Sequence, residues 1–236
     1  MRGGNMLKVN DVSVSYGKSK VVYNVSFDLQ NTDRLVILGR NGVGKTTLLK
    51  SIIGILKAGT GSIYLDDLDV TKMKTYERSR NGIAYVPQGR EIIPQLTVKE
   101  NLELGALAQK VDYEKKVEEI FEYFPVLTQH LRRKGGVLSG GQQQQLAIAR
   151  ALMSDPKVLI LDEPTEGIQP NIVSEIADIL TRYHKEKKVP IIVVEQNMHF
   201  ARKIGDRFLI MQKGQFVADG KIEELTDEIS TKYLSV

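Results

Sequence analysis

The sequence of 236 residues contains no cysteine, only three histidines and no long apolar run. Without cysteine, disulfide bonds and thiolate metal sites are excluded, so the fold does not require an oxidising compartment. His130, His184 and His199 are too far apart in sequence to fit a metal-ligand spacing. No apolar run approaches the roughly 20 residues that span a bilayer, and the start, MRGGNMLKV, has no apolar signal-peptide region. We therefore expect any connection with a membrane to depend on a partner.

A strong excess of charge of one sign is also lacking. The chain has 33 Lys and Arg against 29 Asp and Glu, a net charge of +4. This excess is too small to argue for a nucleic-acid partner, and a solvated mixed surface explains it. The 42% hydrophobic and 26% charged residues are ordinary for a soluble globular protein. The length suits one domain with a sizeable core and room for an inserted subdomain.

Short apolar runs alternate with helical patterns at both ends of the chain. LKVNDVSVSYG alternates apolar and polar residues, which predicts a half-buried strand, and a second strand is predicted over residues 21–29. RLVILG, IAYV, VLIL and IIVV are continuous apolar runs, as expected of strands that are buried on both faces. KTTLLKSIIGIL has the spacing of an amphipathic helix, and another helix is predicted to begin near Ile172. FLIMQKGQFVADG predicts a hairpin. These patterns predict an α/β fold with a mainly parallel sheet.

The middle of the chain differs, because residues 89–156 contain no clear strand pattern. TVKENLELGAL opens with Thr97 and Glu100 in capping-box spacing, and two further helices are predicted after it. We predict one domain over 1–236, with an α/β core from 6–88 and 157–236 and a helical subdomain inserted at 89–156. Organised sequence is expected to begin at Met6.

The stretch GRNGVGKT matches the phosphate-loop pattern G-x-x-x-x-G-K-[ST] and lies between a predicted buried strand and an amphipathic helix. Its glycines let backbone amides turn toward phosphate oxygens, and the helix N-terminus adds partial positive charge. The lysine would reach the terminal phosphates, and the threonine hydroxyl could ligate Mg²⁺. A chance glycine turn is the alternative. The predicted phosphate-binding residues are Gly39, Asn41, Gly42, Gly44, Lys45, Thr46 and Thr47.

A second motif, VLILDEP, delivers two carboxylates at the end of a predicted buried strand. Ligands of open α/β sheets bind at that edge. Asp162 is placed to hold Mg²⁺, and Glu163 is placed to act as a general base on an attacking water. Gln88 ends another predicted strand, where its amide could reach Mg²⁺ or the attacking water. The alternative is that Gln88 only belongs to a turn that ends the strand after Pro87. Tyr16 could stack on a base or be an ordinary edge-strand tyrosine.

The stretch LSGGQQQQLAIAR, residues 138–150, places a serine and two glycines before a helical pattern. Such a helix N-terminus can bind an anion. The phosphate loop already has its own nucleotide, so the chain carries more phosphate-binding helix ends than evident nucleotide pockets.

The ordered set of Tyr16, GRNGVGKT, Gln88, LSGGQ and LILDEP resembles the ATP-binding subunits of ABC transporters over nearly the whole chain. The resemblance implies a P-loop NTPase core with a mainly parallel sheet, an N-terminal antiparallel β subdomain and the inserted helical subdomain. It also implies an ATPase that uses ATP and Mg²⁺ and lies at the cytoplasmic face of the cell membrane, held there peripherally by transmembrane permease subunits.

The same resemblance implies a head-to-tail dimer, in which each ATP lies between the phosphate loop of one subunit and LSGGQ of the other. Ser139, Gly140, Gly141 and Gln142 would then contact a nucleotide held by the partner. Two departures from the family pattern stand out. Gln196 occupies the position where a histidine usually contacts the γ-phosphate, and Gln169 stands before Pro170 where an aspartate is usual. Both changes could lower catalytic efficiency, but Gln196 can still donate to a phosphate and is kept as a catalytic residue.

VEQN, PQGREIIPQLTVKENL, LSGGQQQQLAIARAL and DEPTEGIQP are most similar to the ATPase subunits of urea importers. Branched-chain amino acid importers of the same group are the alternative. That group usually pairs two different ATPase chains, so a related second chain is expected in vivo, a homodimer is possible in isolation, and an extracytoplasmic solute-binding protein acts indirectly. Residues 90–96, REIIPQL, are predicted to help form a groove for a helix of the permease; ordinary packing of the helical insert is the alternative.

Two other classes of function compete with transport. A soluble ATPase of the same family acting on DNA or ribosomes would usually carry two cassettes, coiled-coil inserts or basic extensions, and the sequence shows none. An unrelated P-loop GTPase or kinase would leave LSGGQ without an explanation.

Overall fold

The strands of the computed structural model, which describes residues 5–234, form two sheets. The strands are β1 Asn5–Tyr16, β2 Ser19–Gln30, β3 Arg34–Leu38, β4 Ala58–Leu65, β5 Leu68–Asp69, β6 Ile83–Val86, β7 Val158–Asp162, β8 Ile191–Glu195, β9 Arg207–Gln212 and β10 Gln215–Lys221. The α-helices are α1 Lys45–Ile52, α2 Thr75–Arg80, α3 Val98–Leu107, α4 Tyr113–Tyr123, α5 Pro125–Thr128, α6 Gly140–Leu152, α7 Pro170–Lys187, α8 Met198–Ile204 and α9 Asp227–Leu234. Short 3₁₀ turns cover Gly135–Val137 and Ile222–Glu224.

The larger sheet has the order β10-β9-β3-β8-β7-β6. Every pair in it is parallel except β9 with β10, which form an antiparallel hairpin. Each continuous apolar run of the sequence is a strand of this sheet. Along β3, Val36 and Leu38 pack into one hydrophobic cluster, and Leu35 and Ile37 pack into another on the opposite face. This burial on both faces explains the absence of polar alternation.

The smaller sheet has the order β2-β1-β4-β5 and is entirely antiparallel. It packs with α1 against one face of the larger sheet. The N-terminal antiparallel unit and the mainly parallel core are therefore confirmed. The strands β4 and β5 and the helices α2, α5, α8 and α9 were not among the predicted elements, because their sequences have little periodicity.

Helices α3 to α6 occupy the middle of the chain, and within the described residues the only strand-type pairing there is an isolated bridge between Thr97 and Lys134. The predicted capping box is present: Thr97 Oγ1 accepts from Glu100 N at 3.2 Å, and Glu100 Oε2 accepts from Thr97 N at 2.7 Å. The helical insert is thus confirmed, whereas the boundaries 6–88, 89–156 and 157–236 stay a prediction. The first strand starts at Asn5, and the rest of the expected N-terminal extension lies outside the described residues.

Over residues 5–234, no helix combines the length and apolar character needed to cross a bilayer.

Candidate functional site

The phosphate loop joins the end of β3 to the start of α1, so its backbone lies at the carboxyl edge of the parallel sheet. Gly44 forms the N-cap of α1 with φ +111°, and a Cβ there would lie 3.3 Å from the carbonyl oxygen of Val21. A Cβ on Gly39 would lie 2.6 Å from the carbonyl oxygen of Met211. Glycine is therefore required by conformation at one position and by close backbone approach at the other.

Lys45 is the first residue of α1 and its side chain is buried. Its Nζ donates to the carbonyl oxygens of Gly39 at 2.7 Å and Arg40 at 3.0 Å, and it lies 3.5 Å from Glu163 Oε1. Burial lowers the pKa of this ammonium, and the carboxylate of Glu163 opposes the shift. The loop thus folds back around its own cation at the base of the site.

Asp162 ends β7, where it is almost completely buried. Its Oδ1 accepts from Thr46 Oγ1 at 3.2 Å, and its Oδ2 accepts from Tyr85 OH at 3.1 Å. Burial raises the pKa of this carboxyl above its ordinary value, although both hydroxyls favour the ionised form. The structure therefore brings the two predicted oxygen ligands, on β7 and α1, to hydrogen-bond distance of each other.

Glu163 follows directly, in a left-handed conformation with φ +47°. That backbone conformation is uncommon for a residue with a Cβ and turns the side chain away from the line of the strand. Its Oε1 accepts from Gln196 Nε2 at 2.9 Å, and its Oε2 lies 3.4 Å from Gln88 Nε2. Gln88 makes a shorter contact, 3.0 Å, with Glu166 Oε2. Two neutral amides from different strand ends therefore flank one carboxylate.

Gln196 also donates to Asn41 Oδ1 at 2.7 Å and so joins the end of β8 to the phosphate loop. The neighbouring Glu195 is buried and accepts from the backbone amides of Thr165, Gln196 and Asn197. Burial is the largest effect on its pKa and raises it, while these hydrogen bonds oppose the shift. Glu195 fixes the turn that presents Gln196.

These contacts surround a cavity of about 160 Å³. Among the described residues it is lined by Asn41, Gly42, Gly44, Lys45, Thr46, Thr47, Gln88 and Glu163. Of the remaining predicted residues, Asp162 and Gln196 contact this lining set, and Gly39 lies beneath Lys45. Tyr16 is 48% exposed at the end of β1 and does not line the cavity, although β2, with which β1 pairs, backs Gly44.

Residues 138–142, called the signature segment below, lie at the start of α6 and outside that cavity. Ser139 is the N-cap: its Oγ accepts from Gln142 N at 3.3 Å, and Gln142 Oε1 accepts from Ser139 N at 3.0 Å. A Cβ on Gly141 would lie 2.9 Å from Ile172 Cγ2, so α7 packs closely there. Within one chain, then, the structure does not unite the signature segment with the phosphate loop.

The remaining glutamines of the quartet divide between two environments. Gln143 Nε2 donates to the carbonyl oxygens of Gly135 and Leu138. Gln144 and Gln145 are buried, each with one side-chain polar atom that has no partner within the described residues. From sequence, Gln143 to Gln145 are expected to serve the helix surface or to mark the subfamily. The expected surface position is wrong for Gln144 and Gln145, because α6 is packed against α3, α5, α7 and β6.

A second cavity, of about 410 Å³, lies between the core and the helical insert. Ile93, from the predicted REIIPQL segment, lines it together with Ile55 and Leu104, and all three side chains are exposed. Ile92 instead packs on the main hydrophobic cluster, where a Cβ on Gly135 would approach it to 3.1 Å. Of the two isoleucines in REIIPQL, Ile92 therefore packs against the hydrophobic core and Ile93 lines the groove.

Sequence reasoning missed three residues that shape these sites. Tyr85 contacts Asp162, and its position beside a strand end was an available signal. Glu195 precedes Gln196 in VEQN, but its burial could not be read from the local pattern. Arg90 was predicted only as part of the groove segment REIIPQL. It does not line that groove among the described residues but lies against the signature segment, 50 residues away in sequence, and no local spacing predicts that contact.

The arrangement combines a cation, backbone amides of a helix N-terminus, a carboxylate–hydroxyl pair and a second carboxylate between amides. The first two suit phosphate oxygens, and the carboxylate–hydroxyl pair suits a hard divalent cation. The second carboxylate can accept a proton from water. These are the groups that hydrolysis of a phosphoanhydride requires, apart from any group that would contact the far side of the terminal phosphate.

Comparison with known proteins agrees with a site built for phosphoanhydride hydrolysis. A family described as ABC transporter matches residues 22–166. The chain is 38% identical to the high-affinity branched-chain amino acid transport ATP-binding protein BraG of Pseudomonas aeruginosa over 213 residues, 90% of this chain and 91% of that protein. It is 33% identical to the probable branched-chain amino acid transport ATP-binding protein LivF of Archaeoglobus fulgidus, covering 94% of each. A solved dimeric cassette in a post-hydrolysis state, with ADP and phosphate bound, superposes with a TM-score of 0.84 and 27% identity, over 92% of this chain and 99% of that one.

Proposed function

The chain belongs to the ABC transporter family of ATP-binding, ATP-hydrolysing proteins, and from that premise we propose that it powers an importer through separate membrane subunits. The observation that carries the catalytic part of this proposal is the environment of Glu163, a carboxylate held between the amides of Gln196 and Gln88 beside Lys45. In this proposal the phosphate loop binds the ATP phosphates and Lys45 contacts the β- and γ-phosphates. Tyr16 stacks on adenine.

Mg²⁺ is proposed as the second cofactor. Thr46 Oγ1 and Asp162 Oδ1, 3.2 Å apart, supply the oxygen donors that this ion prefers, and the Gln88 amide can supply another. No group of three His, Cys, Asp or Glu suited to a metal occurs in residues 5–234, which agrees with an ion held largely by phosphate oxygens and water. When bound, Mg²⁺ would neutralise charge on the phosphates.

Glu163 is the proposed general base, and Gln88 and Gln196 position the attacking water and the γ-phosphate. Replacing Glu163 with glutamine keeps the shape but removes the proton acceptor. We expect Glu163→Gln to lower kcat by about a hundredfold or more while ATP affinity changes less than about threefold. Glu166→Gln is the matched control, because it removes a nearby carboxylate that contacts the same Gln88 amide. Wild-type turnover in Glu163→Gln would refute the assignment.

Lys45→Ala is expected to act at an earlier step. It removes the buried cation that faces the phosphates, so ATP binding itself should weaken by about tenfold or more. Equilibrium binding of a fluorescent ATP analogue measures the difference, and unchanged affinity would contradict the role of Lys45.

The signature segment is proposed to complete the ATP site of a partner subunit in a head-to-tail dimer. Its separation from the phosphate loop within one chain supports this reading, as does the superposition on a dimeric cassette. Ser139, Gly140, Gly141 and Gln142 would contact the γ-phosphate across the interface. The partner is a related second ATPase chain in vivo, and two copies can pair in isolation. In the Glu163→Gln variant, ATP should trap this dimer, which gel filtration with and without ATP would detect.

The groove lined by Ile93, Ile55 and Leu104 is the proposed docking site for a short helix of the permease subunit. Its apolar lining lies between core and insert, so a helix seated there could respond to movement of either. Docking there would hold the protein peripherally at the cytoplasmic face of the membrane. An extracytoplasmic solute-binding protein would deliver solute to the permease without touching this chain, and no nucleic-acid partner is proposed.

For the solute, two candidates remain. Branched-chain amino acids are favoured by the similarity to BraG and LivF, whose names specify that transport. Urea is favoured by the resemblance of TEGIQP and the glutamine quartet to urea importers. Deleting the gene in its native host and measuring uptake of radiolabelled leucine and urea separates them: loss of one uptake identifies the solute, and loss of neither refutes both.

A further inference from the structure

Arg90 lies two residues after Gln88, and its guanidinium packs on the N-terminus of α6. A Cβ on Gly140 would lie 3.1 Å from Arg90 Nη2 and 3.2 Å from Nη1. Nη1 also donates to Gln143 Oε1 at 3.3 Å, and a Cβ on Gly167 would lie 3.7 Å from Nη2. One cation therefore touches the signature segment, the helix that follows it and the loop beyond Glu163.

The backbone around Arg90 is held in an unfavourable conformation. Gly89, Arg90 and Glu91 have φ values of +80°, +74° and +44°, all in the left-handed region. Two of these residues carry a Cβ, for which that region costs free energy. The turn is fixed by hydrogen bonds from Arg90 N to Pro87 O at 3.2 Å and from Arg150 Nη2 to Glu91 O at 2.8 Å. From this turn the guanidinium of Arg90 reaches the N-terminus of α6.

The charge of Arg90 has no counterion in the described part of the chain: none of its ion pairs includes this residue. A cation beside the positive end of a helix dipole is electrostatically unfavourable. An anion that approaches the same helix end attracts both the Arg90 cation and the positive end of the dipole, and this attraction offsets their repulsion. The contribution of Arg90 should therefore become evident when nucleotide is present and not in the fold of the isolated subunit.

We propose that Arg90 is a positioning residue of the intermolecular ATP site. Its guanidinium holds Gly140 and Gln143 so that the signature segment is presented to the nucleotide bound by the partner subunit. It also connects the signature segment to the loop of the same subunit that contains Gln88. This inference rests on the head-to-tail dimer proposed above. It predicts that Arg90 acts on the ATP of the partner and not on the ATP of its own phosphate loop.

Two variants separate the side chain from the backbone. Arg90→Gly removes the guanidinium while glycine accepts φ +74° without strain, so the turn is preserved. We expect kcat to fall about tenfold in Arg90→Gly, with ATP affinity of the isolated subunit within about twofold of wild type. Arg90→Lys keeps the charge but not the planar fork and should recover about a third of the activity. Arg132→Ala, which removes an exposed arginine of the same helical insert, is the control and should not change kcat.

Mixed dimers of full-length chains with different affinity tags test which site Arg90 serves. In a reference dimer of wild type with Lys45→Ala, one phosphate loop survives. Pairing Arg90→Gly with Lys45→Ala leaves that surviving loop opposite an intact Arg90, so the rate should equal the reference. Pairing wild type with the double variant Arg90→Gly/Lys45→Ala leaves it opposite the altered signature segment, so the rate should fall about tenfold.

The opposite pattern would show that Arg90 acts within its own subunit through Gln88 and would overturn the proposal. Equal rates in the two mixtures would overturn it as well, since a merely structural role affects both sites alike. If the reference chains form no ATP-dependent dimer, two copies of this chain do not build a shared site, and the role proposed for Arg90 falls with the dimer on which it rests. Gel filtration of the reference mixture distinguishes this failure from the other two.

Discussion

Gln196 and Glu163 are joined by a hydrogen bond of 2.9 Å between the amide nitrogen and one carboxylate oxygen. The same nitrogen donates to Asn41 at 2.7 Å, so a neutral amide bridges the proposed base and the phosphate loop. The amide orients the carboxylate but cannot become a cation. A residue at position 196 that can take up a proton would make the charge beside Glu163 depend on pH, which glutamine does not do.

Gln196→His is expected to introduce that step. An imidazole can donate to Glu163 and take up a proton near its ordinary pKa of about 6.5, which favours a γ-phosphate nearby. For the variant, we expect kcat at pH 6.5 to exceed kcat at pH 8 by about twofold or more relative to the same ratio in wild type. Gln196→Ala, which removes the donor, should lower kcat about tenfold at both pH values. Phosphate release at saturating ATP measures each rate, and identical pH profiles for histidine and glutamine would contradict the prediction.

The carboxyl of Asp162 illustrates a conflict between stability and function. Burial raises its pKa, so the folded protein holds this proton more tightly than the unfolded chain does. Its contribution to stability is therefore present below the ordinary aspartate pKa of about 3.9 and is lost as the pH rises through the raised value. At pH values above the raised pKa, the ionised carboxylate costs the fold free energy, and a residue kept in spite of such a cost is consistent with a metal-binding role.

Asp162→Asn should thus be more stable than wild type at pH 7.5 without nucleotide or Mg²⁺. The amide can still pair with the hydroxyls of Thr46 and Tyr85, which both donate and accept. We expect a gain of about 1 kcal/mol, or about 2–4 °C in Tm, together with loss of ATPase activity. The gain should shrink as the pH is lowered toward 5. A lower Tm for the variant at pH 7.5 in differential scanning fluorimetry would refute this account.

The groove lined by Ile93, Ile55 and Leu104, where we propose that the permease docks, gives a test that separates transport from hydrolysis. Ile93 is 37% exposed in the groove, and its backbone N–H and C=O are both bonded to the buried side chain of Asn101. Ile93→Asp should leave ATP binding within about twofold but abolish solute uptake, because it places a charge in an apolar contact. Ile93→Met is the matched control. Normal uptake and normal copurification of permease with Ile93→Asp would show that the helix docks elsewhere.

Ile92 is a poor choice for the same experiment. It is partly buried against the main hydrophobic cluster, so an aspartate there would destabilise the fold and confuse loss of docking with loss of structure. The sequence REIIPQL does not distinguish the two isoleucines. Only the turn at residues 89–91, which sets the direction of the following chain, assigns one to the core and one to the groove.

The parts predicted from sequence share a local physical signal. The run RLVILG before GKT and the run VLIL before DEP could be identified as buried strands because burial on both faces removes polar alternation. Parallel strands end at one edge, so the predicted magnesium ligands Thr46 and Asp162 were expected at the same edge of the sheet, where their side chains are hydrogen-bonded. The helix at the signature segment was predicted from the capping residues and apolar spacing around Ser139.

The parts that could not be predicted depend on contacts between distant segments. Gln196 and Asn41 are 155 residues apart, and no pattern near either specifies that pairing. The strand β4 was missed because AGTGSIYL has two glycines among its first four residues and lacks a clear alternation. Arg78, on the short helix α2, looks like an ordinary exposed arginine in sequence, yet it is almost completely buried.

Arg78 holds together the end of the phosphate-loop helix. Its Nη1 donates to the carbonyl oxygens of Ser51 and Ile52 at 2.6 and 2.7 Å. Its Nη2 and Nε donate to the carbonyl oxygens of Thr71 and Met73. A cation at the C-terminal end of α1 also interacts favourably with the helix dipole. No carboxylate pairs with Arg78 among the ion pairs of residues 5–234, so backbone carbonyls alone satisfy it.

Arg78→Met should therefore destabilise the protein by about 3 kcal/mol, because the side chain keeps its bulk but leaves buried carbonyl oxygens without donors. The corresponding fall in Tm is about 6–12 °C. Arg78→Lys should recover part of the loss, since one ammonium cannot reach all four oxygens. Arg80→Met, on the exposed side of the same helix, should change stability by less than about 0.5 kcal/mol. Equal urea midpoints for the Arg78 and Arg80 variants would show that the carbonyl contacts of Arg78 contribute nothing measurable to the fold.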